Sequence, residues 1–511
     1  MPRALISVYE KEGVEHLALG LRGLGFELVS SGGTAAYLEE NGLPVTRVED
    51  VTGAPEVLGG RVKTLHPAIH AGILARRGLA DDDRTLAEQG IEPFEVVCVN
   101  LYPFASFAAR LGPTDEETIE MIDVGGPSML RAAAKNFAHV AAVSDPRQYE
   151  VVLRELREHG EVSLDTRRRL AAEAFATTAA YEAAIATWFA RGERFPEQLT
   201  LSFRKVSDLP YGENPHQAAA LYWEVGARKH LLSRVEQLVG KELSYNNLAA
   251  LEGGRRVARE LDDPAVVIVK HGNPCGVAVA GTTEEAWERA LAADPVSAYG
   301  CVAILNRTVT GTLGERIAEH FVEVLFAPGY APDALAALAR KQAMRILQDG
   351  ERRKDTPGER DFRRVLGGLL VQDRDVDTQD RSAMRVACGE LSNENWDDLL
   401  FAWRVCKHVS SNAIVLARGL QTIGIGAGQM SRVDAVRIAV EKAQALGHDT
   451  QGAVLASDAF FPFADGVEVA VEAGIAAIVQ PGGSKRDAEV TAAVEAAGAA
   501  MVFTDRRHFR H

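Results

Sequence analysis

Short apolar runs alternate with longer amphipathic stretches along the chain. In the first third, the runs rich in β-branched residues have the length of buried strands, and the stretches between them have helical periodicity. The predicted strands are Ala4–Val8, Phe26–Val29, Val96–Leu101 and His139–Val143. The predicted helices are Val14–Leu24, Ala35–Asn41 and Glu116–Lys135. This alternation predicts parallel pairing of the strands in an open α/β sheet.

A second α/β part follows one long alanine-rich helix, predicted at Ala171–Ala190. The segment Arg191–Thr200 contains Gly192 and Pro196 and is typical of a linker. Beyond it, helical stretches again separate the predicted strands, so this part is also expected to be α/β. Those strands are Ala265–Val269, Cys301–Leu305, Leu366–Val371, Ala413–Ala417, Thr422–Ile425, Ala453–Ser457, Ile475–Val479 and Ala500–Phe503.

The charged segment Gln348–Arg364 contains the densest basic run of the chain, Arg352 to Lys354. Acidic residues are interleaved throughout the segment, which favours a solvated loop over a contact with nucleic acid. We therefore predict a loop between two subdomains of the second part.

Composition narrows the classes of function. The chain has 511 residues, which predicts about three domains. Its 56 Lys and Arg against 71 Asp and Glu give a net charge of −15, which argues against a surface for nucleic acid or anionic membranes. A local cationic pocket for a phosphorylated small molecule remains compatible with this charge.

The cysteines and the N-terminus predict a cytoplasmic protein. No pair of the five cysteines has CxxC spacing, so neither a disulfide framework nor a cysteine zinc site is expected. The N-terminal apolar run is too short for a signal peptide, and no run of about 18 apolar residues follows. The cysteines are Cys98, Cys275, Cys301, Cys388 and Cys406.

Two neighbouring segments predict an anion site. The SSGGT segment, residues 30–34, follows a strand, and its glycines allow backbone N–H groups to face one concavity at a helix N-terminus. The alternative is a structural turn that places Thr34 as the N-cap of a helix opening at Ala35. Arg61 and Lys63 project the same way if the chain there is extended, and they suit a phosphate or an oxyanion. An exposed basic pair is the alternative.

Two histidines have the spacing of a zinc helix without its chemistry. His66 and His70 are four residues apart, but Pro67 stands where HExxH has glutamate, so zinc is not expected.

Further polar groups follow predicted strands. Asn100 and Tyr102 lie at the carboxyl end of a strand, where α/β sheets bind their ligands. Asp123 precedes a helix whose far end carries Lys135. An Asp, a Tyr and two Lys form a plausible proton-transfer set if the fold brings them together.

The sharpest local feature of the second part is KHGNPCG at residues 270–276. Lys270 and His271 end a predicted buried strand, and the following Gly and Pro redirect the backbone. A near-neutral His moves protons, and an adjacent ammonium stabilises an oxyanion. The alternative is a loop whose His merely caps the strand. Cys275 has no second His near it in sequence, which favours a small buried residue over a nucleophile.

Three other motifs do not by themselves indicate a single role. YGENPHQ at residues 211–217 is a polar turn that suits a ligand or the start of a domain. IGIGAGQ at residues 423–429 fails the dinucleotide pattern because Gln429 replaces the third glycine. In DAFFPF, residues 458–463, phenylalanine rings either fill a core or hold a flat heterocycle.

Taken together, the motifs resemble the bifunctional purine biosynthesis family of AICAR transformylase/IMP cyclohydrolase enzymes, nearly end to end. In family order, the motifs are SSGGT, LGGRVKTLHPAIHAGILARR, NLYPF, IDVGGPSMLRAAAKN, YGENPHQ, KHGNPCG, IGIGAGQMSR, SDAFFPF and RRHFRH.

The resemblance implies a methylglyoxal-synthase-like cyclohydrolase domain at residues 1–195. Two cytidine-deaminase-like α/β subdomains, split at about 350–385, would then form the transformylase domain at residues 200–511. It also implies a homodimer with the transformylase site at its interface, no catalytic metal, and no partner among nucleic acids or membranes. Whether a monovalent cation binds near the folate site stays open.

For the transformylase, the resemblance implies that 10-formyltetrahydrofolate donates a formyl group to AICAR. His271 would handle the proton and Lys270 would stabilise the formyl oxygen. The positions that match AICAR contacts are Tyr211, Asn247, Gly300, Glu323, Asn412 and Arg507. The positions that match the folate-side wall are Ser431, Val433, Phe460, Pro462, Phe463 and Asp465, and Phe509 and His511 also match the family.

For the cyclohydrolase, the resemblance implies ring closure of formyl-AICAR to IMP with loss of water. Lys63 and Tyr102 would serve the formyl oxygen, and Asp123 with Lys135 the proton transfers. The other matching positions are Lys11, Ser31, Gly32, Gly33, Thr34, Arg61, Thr64, Asn100 and Gly125.

Two positions depart from the family pattern. Pro210 replaces an Arg that commonly precedes the YGENPHQ motif, so the AICAR phosphate must rely on Arg507 or another cation. Tyr9 stands where a small hydroxyl residue often lies. The rival hypotheses are a catalytically inactive nucleotide sensor on the same fold, a zinc deaminase and a nucleic-acid binder.

Overall fold

The structure, a computed structural model, describes residues 1–110, 112–225, 235–350, 358–377 and 379–511. The described chain divides into two compact units. The first is Met1–Arg204 with a short segment that begins at Tyr222, and the second is Lys205–Leu221 with the chain from residue 235 onward. The predicted basic run Arg352 to Lys354 lies outside the described residues.

The first unit is built on a five-stranded sheet in which every neighbouring pair is parallel. The strand order is β3-β2-β1-β4-β5. Leu5 of the central strand pairs with Val29 on one side and Val97 on the other. The strands are β1 (Arg3–Ser7), β2 (Glu27–Ser30), β3 (Thr46–Arg47), β4 (Val96–Val99) and β5 (Ala141–Val143).

Ten α-helices of the first unit lie within the described residues, with 3-10 turns at Leu58–Gly60 and Pro146–Gln148. The helices are α1 (Val14–Gly23), α2 (Gly32–Glu40), α3 (Val48–Thr52), α4 (Pro67–Leu74), α5 (Ala80–Gln89), α6 (Phe104–Ala108), α7 (Asp115–Ile119), α8 (Gly125–Lys135), α9 (Tyr149–His159) and α10 (Leu164–Phe189).

Both faces of this sheet are covered, as expected for a parallel sheet. Alternate residues of β1 enter two different cores. Ile6 packs in one core with Leu17 of α1, and Leu5 packs in the other with Leu130 of α8. Helices on both faces leave the carboxyl ends of the strands as the open edge on which side chains can meet a ligand.

A hairpin of β6 (Phe203–Leu209) and β7 (Ala219–Glu224) follows the first unit. The second unit contains a mixed sheet of twelve described strands, in the order β16-β21-β20-β19-β17-β18-β10-β9-β11-β12-β13-β8. They are β8 (Glu236–Val239), β9 (Ala265–Lys270), β10 (Asn273–Val279), β11 (Cys301–Leu305), β12 (Val322–Ala327), β13 (Arg345–Gln348), β16 (Arg385–Cys388), β17 (Ile414–Arg418), β18 (Gln421–Gly426), β19 (Val454–Ser457), β20 (Ala477–Gln480) and β21 (Ala500–Phe503).

A separate hairpin of β14 (Arg360–Val365) and β15 (Gly368–Asp373) lies between β13 and β16 in chain order. A 3-10 turn at Arg381–Ala383 follows it. The α-helices described in the second unit are α11 (Tyr245–Arg259), α12 (Thr283–Ala293), α13 (Gly311–Ala318), α14 (Pro332–Ala339), α15 (Asn393–Cys406), α16 (Arg432–Ala445), α17 (Asp465–Glu472) and α18 (Asp487–Ala496).

The twelve-stranded sheet is an internal repeat. Counted outward from its centre, the first half runs β10-β9-β11-β12-β13-β8 and the second runs β18-β17-β19-β20-β21-β16. The strand directions agree as well, since in both halves the third, fourth and fifth strands are parallel and the other pairs antiparallel. Strands β10 and β18 join the halves at Ala278 and Gln421.

The predicted α/β class and the parallel N-terminal sheet are confirmed, while several details differ. The predicted helix Glu116–Lys135 is two helices, because the main chain between them bonds to Tyr181. The Tyr181 hydroxyl donates to the Met121 carbonyl at 3.0 Å and accepts from the Asp123 N–H at 2.6 Å. Among the described helices, none has the length and apolar character needed to cross a membrane.

Candidate active sites

A cavity of about 730 Å³ lies at the carboxyl edge of the five-stranded sheet. Twelve of the thirteen residues predicted for cyclisation line it, and Lys135 is the exception. Lys135 is exposed on the last turn of α8, whose first turn lines the cavity, so the geometry does not bring it to the predicted proton-transfer set. The twelve are Lys11, Ser31, Gly32, Gly33, Thr34, Arg61, Lys63, Thr64, Asn100, Tyr102, Asp123 and Gly125.

The SSGGT segment forms the start of α2 at this edge. The helix begins at Gly32 rather than Ala35, and its N-cap is Ser31, so the alternative of Thr34 as N-cap is wrong. Ser31 makes no side-chain capping bond, which leaves its hydroxyl at the cavity beside the first N–H groups of the helix. Such a terminus carries positive potential and suits a phosphate.

Thr34 instead joins α2 to the end of β1. Its hydroxyl donates to the Val8 carbonyl at 2.8 Å and accepts from the Val8 N–H at 3.1 Å. The Lys11 ammonium donates to the same hydroxyl at 3.1 Å and to the Val8 carbonyl. Burial lowers the pKa of Lys11, because an ammonium that is partly withdrawn from bulk water is less well solvated.

Arg61 and Lys63 lie in a tight loop rather than the predicted extended chain. A 3-10 turn precedes Arg61, and Val62 forms an isolated bridge with Val57. Arg61 pairs with the exposed Glu120. Lys63 pairs with Glu56 at 2.9 Å.

The ammonium of Lys63 lies directly over the start of α2. A Cβ atom placed on Gly32 would stand 2.9 Å from the Lys63 Nζ. Gly32 has a φ of 51°, in the left-handed region that favours glycine. Glycine at this position therefore serves both the backbone turn and the approach of the cation.

Asp123 is held at the start of α8 by its backbone and its carboxylate. Besides the bond of its N–H to Tyr181, its Oδ1 accepts from the Gly126 N–H at 2.9 Å. Burial raises the pKa of Asp123, and the Gly126 hydrogen bond opposes that rise. A carboxylate with a raised pKa is suited to accept a proton near neutral pH.

Tyr102 faces the same cavity. Burial and the nearby Asp123 charge raise the pKa of Tyr102, so the phenol keeps its proton and is able to donate a hydrogen bond. Its ring lies 5.1 Å from that of Tyr9, the residue that departs from the family pattern. Asn100 fixes the chain beneath Tyr9, since its Oδ1 accepts from the Tyr9 and Glu10 N–H groups.

In the second unit, Lys270 ends β9, and His271 and Gly272 form the two-residue turn that leads into β10. Lys270 pairs with Asn273 across the hairpin, and the φ angles of His271 and Gly272 are 50° and 75°. Two consecutive positive φ angles are characteristic of type I′ hairpin turns. The predicted loop is therefore a tight hairpin that places His271 at an exposed tip.

The side chain of Lys270 reaches the neighbouring loop. Its ammonium donates to the carbonyls of Tyr299 and Gly300 at 2.8 and 2.9 Å. Lys270 and His271 also line a smaller cavity of about 200 Å³, together with Cys275. Burial raises the pKa of the Cys275 thiol to about 12, which disfavours the thiolate that a nucleophile needs, although the residue is half-buried rather than fully buried as predicted.

Other residues predicted to contact AICAR form two bonded groups. The Asn247 amide donates to Glu323 at 3.1 Å, and Arg345 faces the same carboxylate at 3.6 Å. Asn412 accepts from Arg432 at 2.6 Å, and Arg432 also binds the fully buried Asp458 at 2.6 Å.

Tyr211 and Arg507 occupy exposed positions. Tyr211 belongs to the turn between β6 and β7, which is closed by a 2.7 Å bond from the Gly212 N–H to the Gln217 carbonyl. Arg507 lies over the Phe509 ring at 4.3 Å.

The six residues predicted for the folate side gather around the first turns of two packed helices. Ser431 caps α16, Val433 lies in its first turn, and Asp465 begins α17. Phe460 and Phe463 in the preceding loop are 37% and 49% exposed, and Pro462 between them is exposed too. Phe461 instead fills the core beneath them.

Sequence reasoning missed two residues of the second unit that hold these groups. Arg432 connects Asn412 with Asp458, and Arg510 donates to the Gly272 carbonyl at 3.2 Å. Both lie inside quoted motifs, IGIGAGQMSR and RRHFRH. Their partners are distant in sequence, so spacing alone gave no signal.

The glycines of IGIGAGQ have a packing role. A Cβ atom at Gly424 or Gly426 would stand 2.2 or 1.9 Å from a carbonyl oxygen of α16. Gly276 in the first half lies in the same way against the Ala290 carbonyl, at 2.0 Å. These glycines let a helix pack directly on a strand.

The described residues contain no group of three or more His, Cys, Asp or Glu side chains arranged to hold a metal ion. His66 caps α4, accepting from the Ala68 N–H at 3.2 Å. Burial lowers the pKa of His70.

Comparisons with known proteins find similar sequences over the whole chain. The sequence model of the AICARFT/IMPCHase bienzyme family matches residues 133–442, and a model described as MGS-like domain matches residues 13–128.

Three similar proteins share the description "Bifunctional purine biosynthesis protein PurH". The protein of Persephonella marina (strain DSM 14350 / EX-H1) is 48% identical over 516 residues, covering 100% of this chain and 99% of its own. That of Chloroflexus aurantiacus (strain ATCC 29366 / DSM 635 / J-10-fl) is 52% identical over 514 residues, covering 100% and 98%. That of Anoxybacillus flavithermus (strain DSM 21510 / WK1) is 48% identical over 515 residues, covering 100% and 99%.

Proposed function

The chain belongs to the AICARFT/IMPCHase bienzyme family, and from this premise we propose which residues carry each of its two reactions. It is a bifunctional enzyme of purine biosynthesis, an AICAR formyltransferase and an IMP cyclohydrolase. The first unit carries cyclisation and the second carries formyl transfer. The observation that supports this division best is the gathering of twelve predicted residues around one cavity of the first unit.

In cyclisation, the carboxamide nitrogen of formyl-AICAR attacks the formyl carbon. The formyl oxygen leaves as water with two protons, one lost by the formamide nitrogen and one by the attacking carboxamide nitrogen. Asp123 accepts the proton that the carboxamide nitrogen loses, a role for which its raised pKa suits it. Lys63 and the protonated Tyr102 donate to the formyl oxygen as negative charge develops on it. Since both reacting groups belong to one molecule, holding them close supplies much of the acceleration.

The 5′-phosphate of the nucleotide binds at the start of α2. Ser31, Gly32 and Gly33 offer a hydroxyl and backbone N–H groups there. Arg61 pairs in the structure with the exposed Glu120, and exposed pairs of this kind are weak. Arg61 therefore turns to the phosphate at little energetic cost.

In formyl transfer, the 5-amino group of AICAR attacks the formyl carbon of the folate donor, proposed to be 10-formyltetrahydrofolate. His271 takes the proton of the amine, and Lys270 stabilises the negative charge on the formyl oxygen. The bond from the formyl carbon to N10 then breaks, and N10 gains a proton to give tetrahydrofolate. The exposed tip of the hairpin makes His271 accessible to an incoming amine.

We propose that AICAR contacts both bonded groups of the second unit, the one around Asn247 and the one around Asn412. Pro210 supplies no charge, so Arg507 binds the phosphate. Arg507 suits this role because it is exposed and stacks on Phe509 while its guanidinium edge stays open.

The folate is proposed to lie against Phe460, Pro462 and Phe463, whose exposed apolar faces suit a flat heterocycle. We further propose a homodimer with this site at its interface, so that a second copy of the chain completes the folate site. Sedimentation analysis tests this, since a monomer at micromolar concentration would contradict it.

Three further predictions carry over to this proposal. The domain limits of 1–195 and 200–511, with a division at about 350–385, stay predictions, and residues 351–357 and 378 lie outside the described chain. A cytoplasmic location is proposed from the pattern of free cysteines.

One assay tests the proposed function. The protein is given AICAR and 10-formyltetrahydrofolate, and both tetrahydrofolate and IMP are followed. The expected result is formation of both, whereas a folded protein that forms neither would support the inactive nucleotide sensor. His271→Ala is expected to lose only the first step and to convert supplied formyl-AICAR to IMP at the rate of the unchanged protein.

A further inference from the structure

The turn that carries His271 is held from three sides within the second unit. On one side, the Lys270 ammonium binds the Tyr299 and Gly300 carbonyls. On another, the Asn273 Oδ1 accepts from the Ser410 N–H at 2.9 Å. On the third, the Gly272 carbonyl accepts from the Arg510 guanidinium at 3.2 Å.

Arg510 is itself fixed at the same place. Its Nη1 also donates to the His408 carbonyl. Its backbone N–H donates to the Ser411 hydroxyl at 3.1 Å, and its carbonyl accepts from the Ser411 N–H at 2.9 Å. Ser411 precedes Asn412 of the proposed AICAR site, so Arg510 joins the hairpin of the first half to a binding segment of the second half.

The neighbouring helix leaves room for this contact. A Cβ atom at Gly253 of α11 would stand 3.3 Å from the Gly272 oxygen and 3.7 Å from Nη2 of Arg510. The absence of a side chain at Gly253 therefore lets the guanidinium and the turn meet against the helix.

The turn gains from an external partner because His271 has a positive φ, a region that residues other than glycine adopt infrequently, although histidine tolerates it better than most. A hydrogen bond from a charged donor is stronger than a neutral one and fixes the orientation of the Gly272 carbonyl.

The second half of the sheet offers an internal comparison. Its equivalent turn, between β17 and β18, is Gly419–Leu420, and both residues have a φ of 59°. There Arg289 donates to the Gly419 carbonyl. In both turns an arginine side chain thus donates to a backbone carbonyl of the turn, but only the first turn contains an ionisable residue, His271.

We propose that Arg510 is a positioning residue for formyl transfer, holding the His271–Gly272 turn so that the imidazole stays aligned with the attacking amine. This inference rests on the proposed role of His271. Arg510 touches the backbone of the turn rather than a reacting atom, so its loss lowers the rate of the step more than the affinity for AICAR.

The test compares four variants by steady-state kinetics of formyl transfer: Arg510→Ala, Arg510→Lys, Arg289→Ala and His271→Ala. We expect Arg510→Ala to lower kcat about 10- to 100-fold, because small misplacements of a reacting group cost that much. The KM for AICAR should stay within about twofold. Arg510→Lys keeps the charge and one donor and should recover part of the loss, while Arg289→Ala should keep kcat within about twofold.

Different failures give different results. If His271→Ala keeps full transfer, the proposed role of His271 is wrong. If His271→Ala loses transfer while Arg510→Ala keeps the kcat of the unchanged protein, only the positioning role is wrong. An equal loss in Arg289→Ala and Arg510→Ala would also overturn it, since that loss reports general damage to the sheet. If Arg510→Ala does not fold, Arg510→Lys is compared with Arg510→Gln, and equal kcat values would overturn the role of the charge.

Discussion

Asp123 shows at the scale of one residue how the fold adapts a side chain to chemistry. The Tyr181 hydroxyl and the Gly126 N–H fix its position, and burial raises its pKa. Burying a carboxylate costs stability, and this cost falls at the cavity where we propose that Asp123 accepts a proton.

Replacing Asp123 separates stability from activity. Between the ordinary pKa of 3.8 and the raised folded value, the native state binds more protons than the unfolded state, so stability falls as pH rises through this interval. Above this interval, Asp123 is ionised in both the folded and the unfolded state, and the whole cost of burying its charge lowers the stability. Asp123→Asn keeps an oxygen for the Gly126 N–H and removes the charge.

We therefore expect Asp123→Asn to lower the cyclisation rate about 10²- to 10⁴-fold while raising the thermal unfolding midpoint at neutral pH. The gain in the midpoint should shrink as the pH falls toward 4. Melting curves measured from pH 4 to 8 check this, and a variant less stable than the unchanged protein at pH 7 would contradict it.

At the scale of elements, the start of α2 combines a backbone turn with a cation. Gly32 has a positive φ and meets Lys63, whereas at Gly33 a Cβ atom would meet nothing within 4 Å. Two adjacent glycines of one helix terminus are thus expected to respond differently to the same substitution.

Gly32→Ala should destabilise the first unit by about 1 kcal/mol, because alanine is strained in the left-handed region. That corresponds to a fall of about 2–4 °C in its unfolding midpoint. Gly33→Ala serves as the matched control and should leave the midpoint unchanged or slightly raised. Equal effects of the two substitutions, measured by differential scanning calorimetry, would refute the assigned role of Gly32.

The hairpin of β9 and β10 is a second element in which conformation and chemistry are separable. Asparagine tolerates positive φ well, so His271→Asn should keep the turn and its stability. Formyl transfer should fall about 10²- to 10⁴-fold, because the proton acceptor is gone. Gly272→Ala keeps the imidazole but strains the turn, so it should lower the unfolding midpoint. Thermal melts and transfer assays of both variants test whether the two effects separate in this way.

Local patterns predicted the buried strands of the two large sheets best, and tertiary contacts explain several of the failures. Strands such as Cys301–Leu305 and Ala500–Phe503 have the predicted bounds because they are continuous apolar runs buried in the sheet. The interruption before α8 depends on Tyr181, nearly 60 residues away along the chain. Strand β10 was missed because it begins with Asn273 and Pro274, residues typical of a turn.

The candidate sites were predictable to a different degree. Seven of the twelve predicted cyclohydrolase residues in the cavity follow strands of a parallel sheet, whose carboxyl ends share one edge, so their meeting follows from topology. The loop before α4 and the start of α8 bring in the other five. The position of Lys135 at the wrong end of α8 and the contact of Arg510 with Gly272 depend on packing that spacing does not encode.

At the scale of the whole molecule, the described chain forms two compact units, and the sheet of the second unit is an internal repeat. The repeat gives each half of the large sheet the same hairpin, yet only the first hairpin carries Lys270 and His271. The net charge of −15 is a sum over the whole chain, whereas the proposed sites depend on single cations such as Lys63 and Lys270.

We propose that cyclisation and formyl transfer use separate residues in separate units. The most direct measurement is the time course of formyl-AICAR and IMP produced by Lys63→Ala from AICAR and 10-formyltetrahydrofolate. The account predicts that formyl-AICAR forms at the rate of the unchanged protein and accumulates, with IMP formation lowered at least about 100-fold. IMP formation at the normal rate, or a parallel loss of both products, would contradict it.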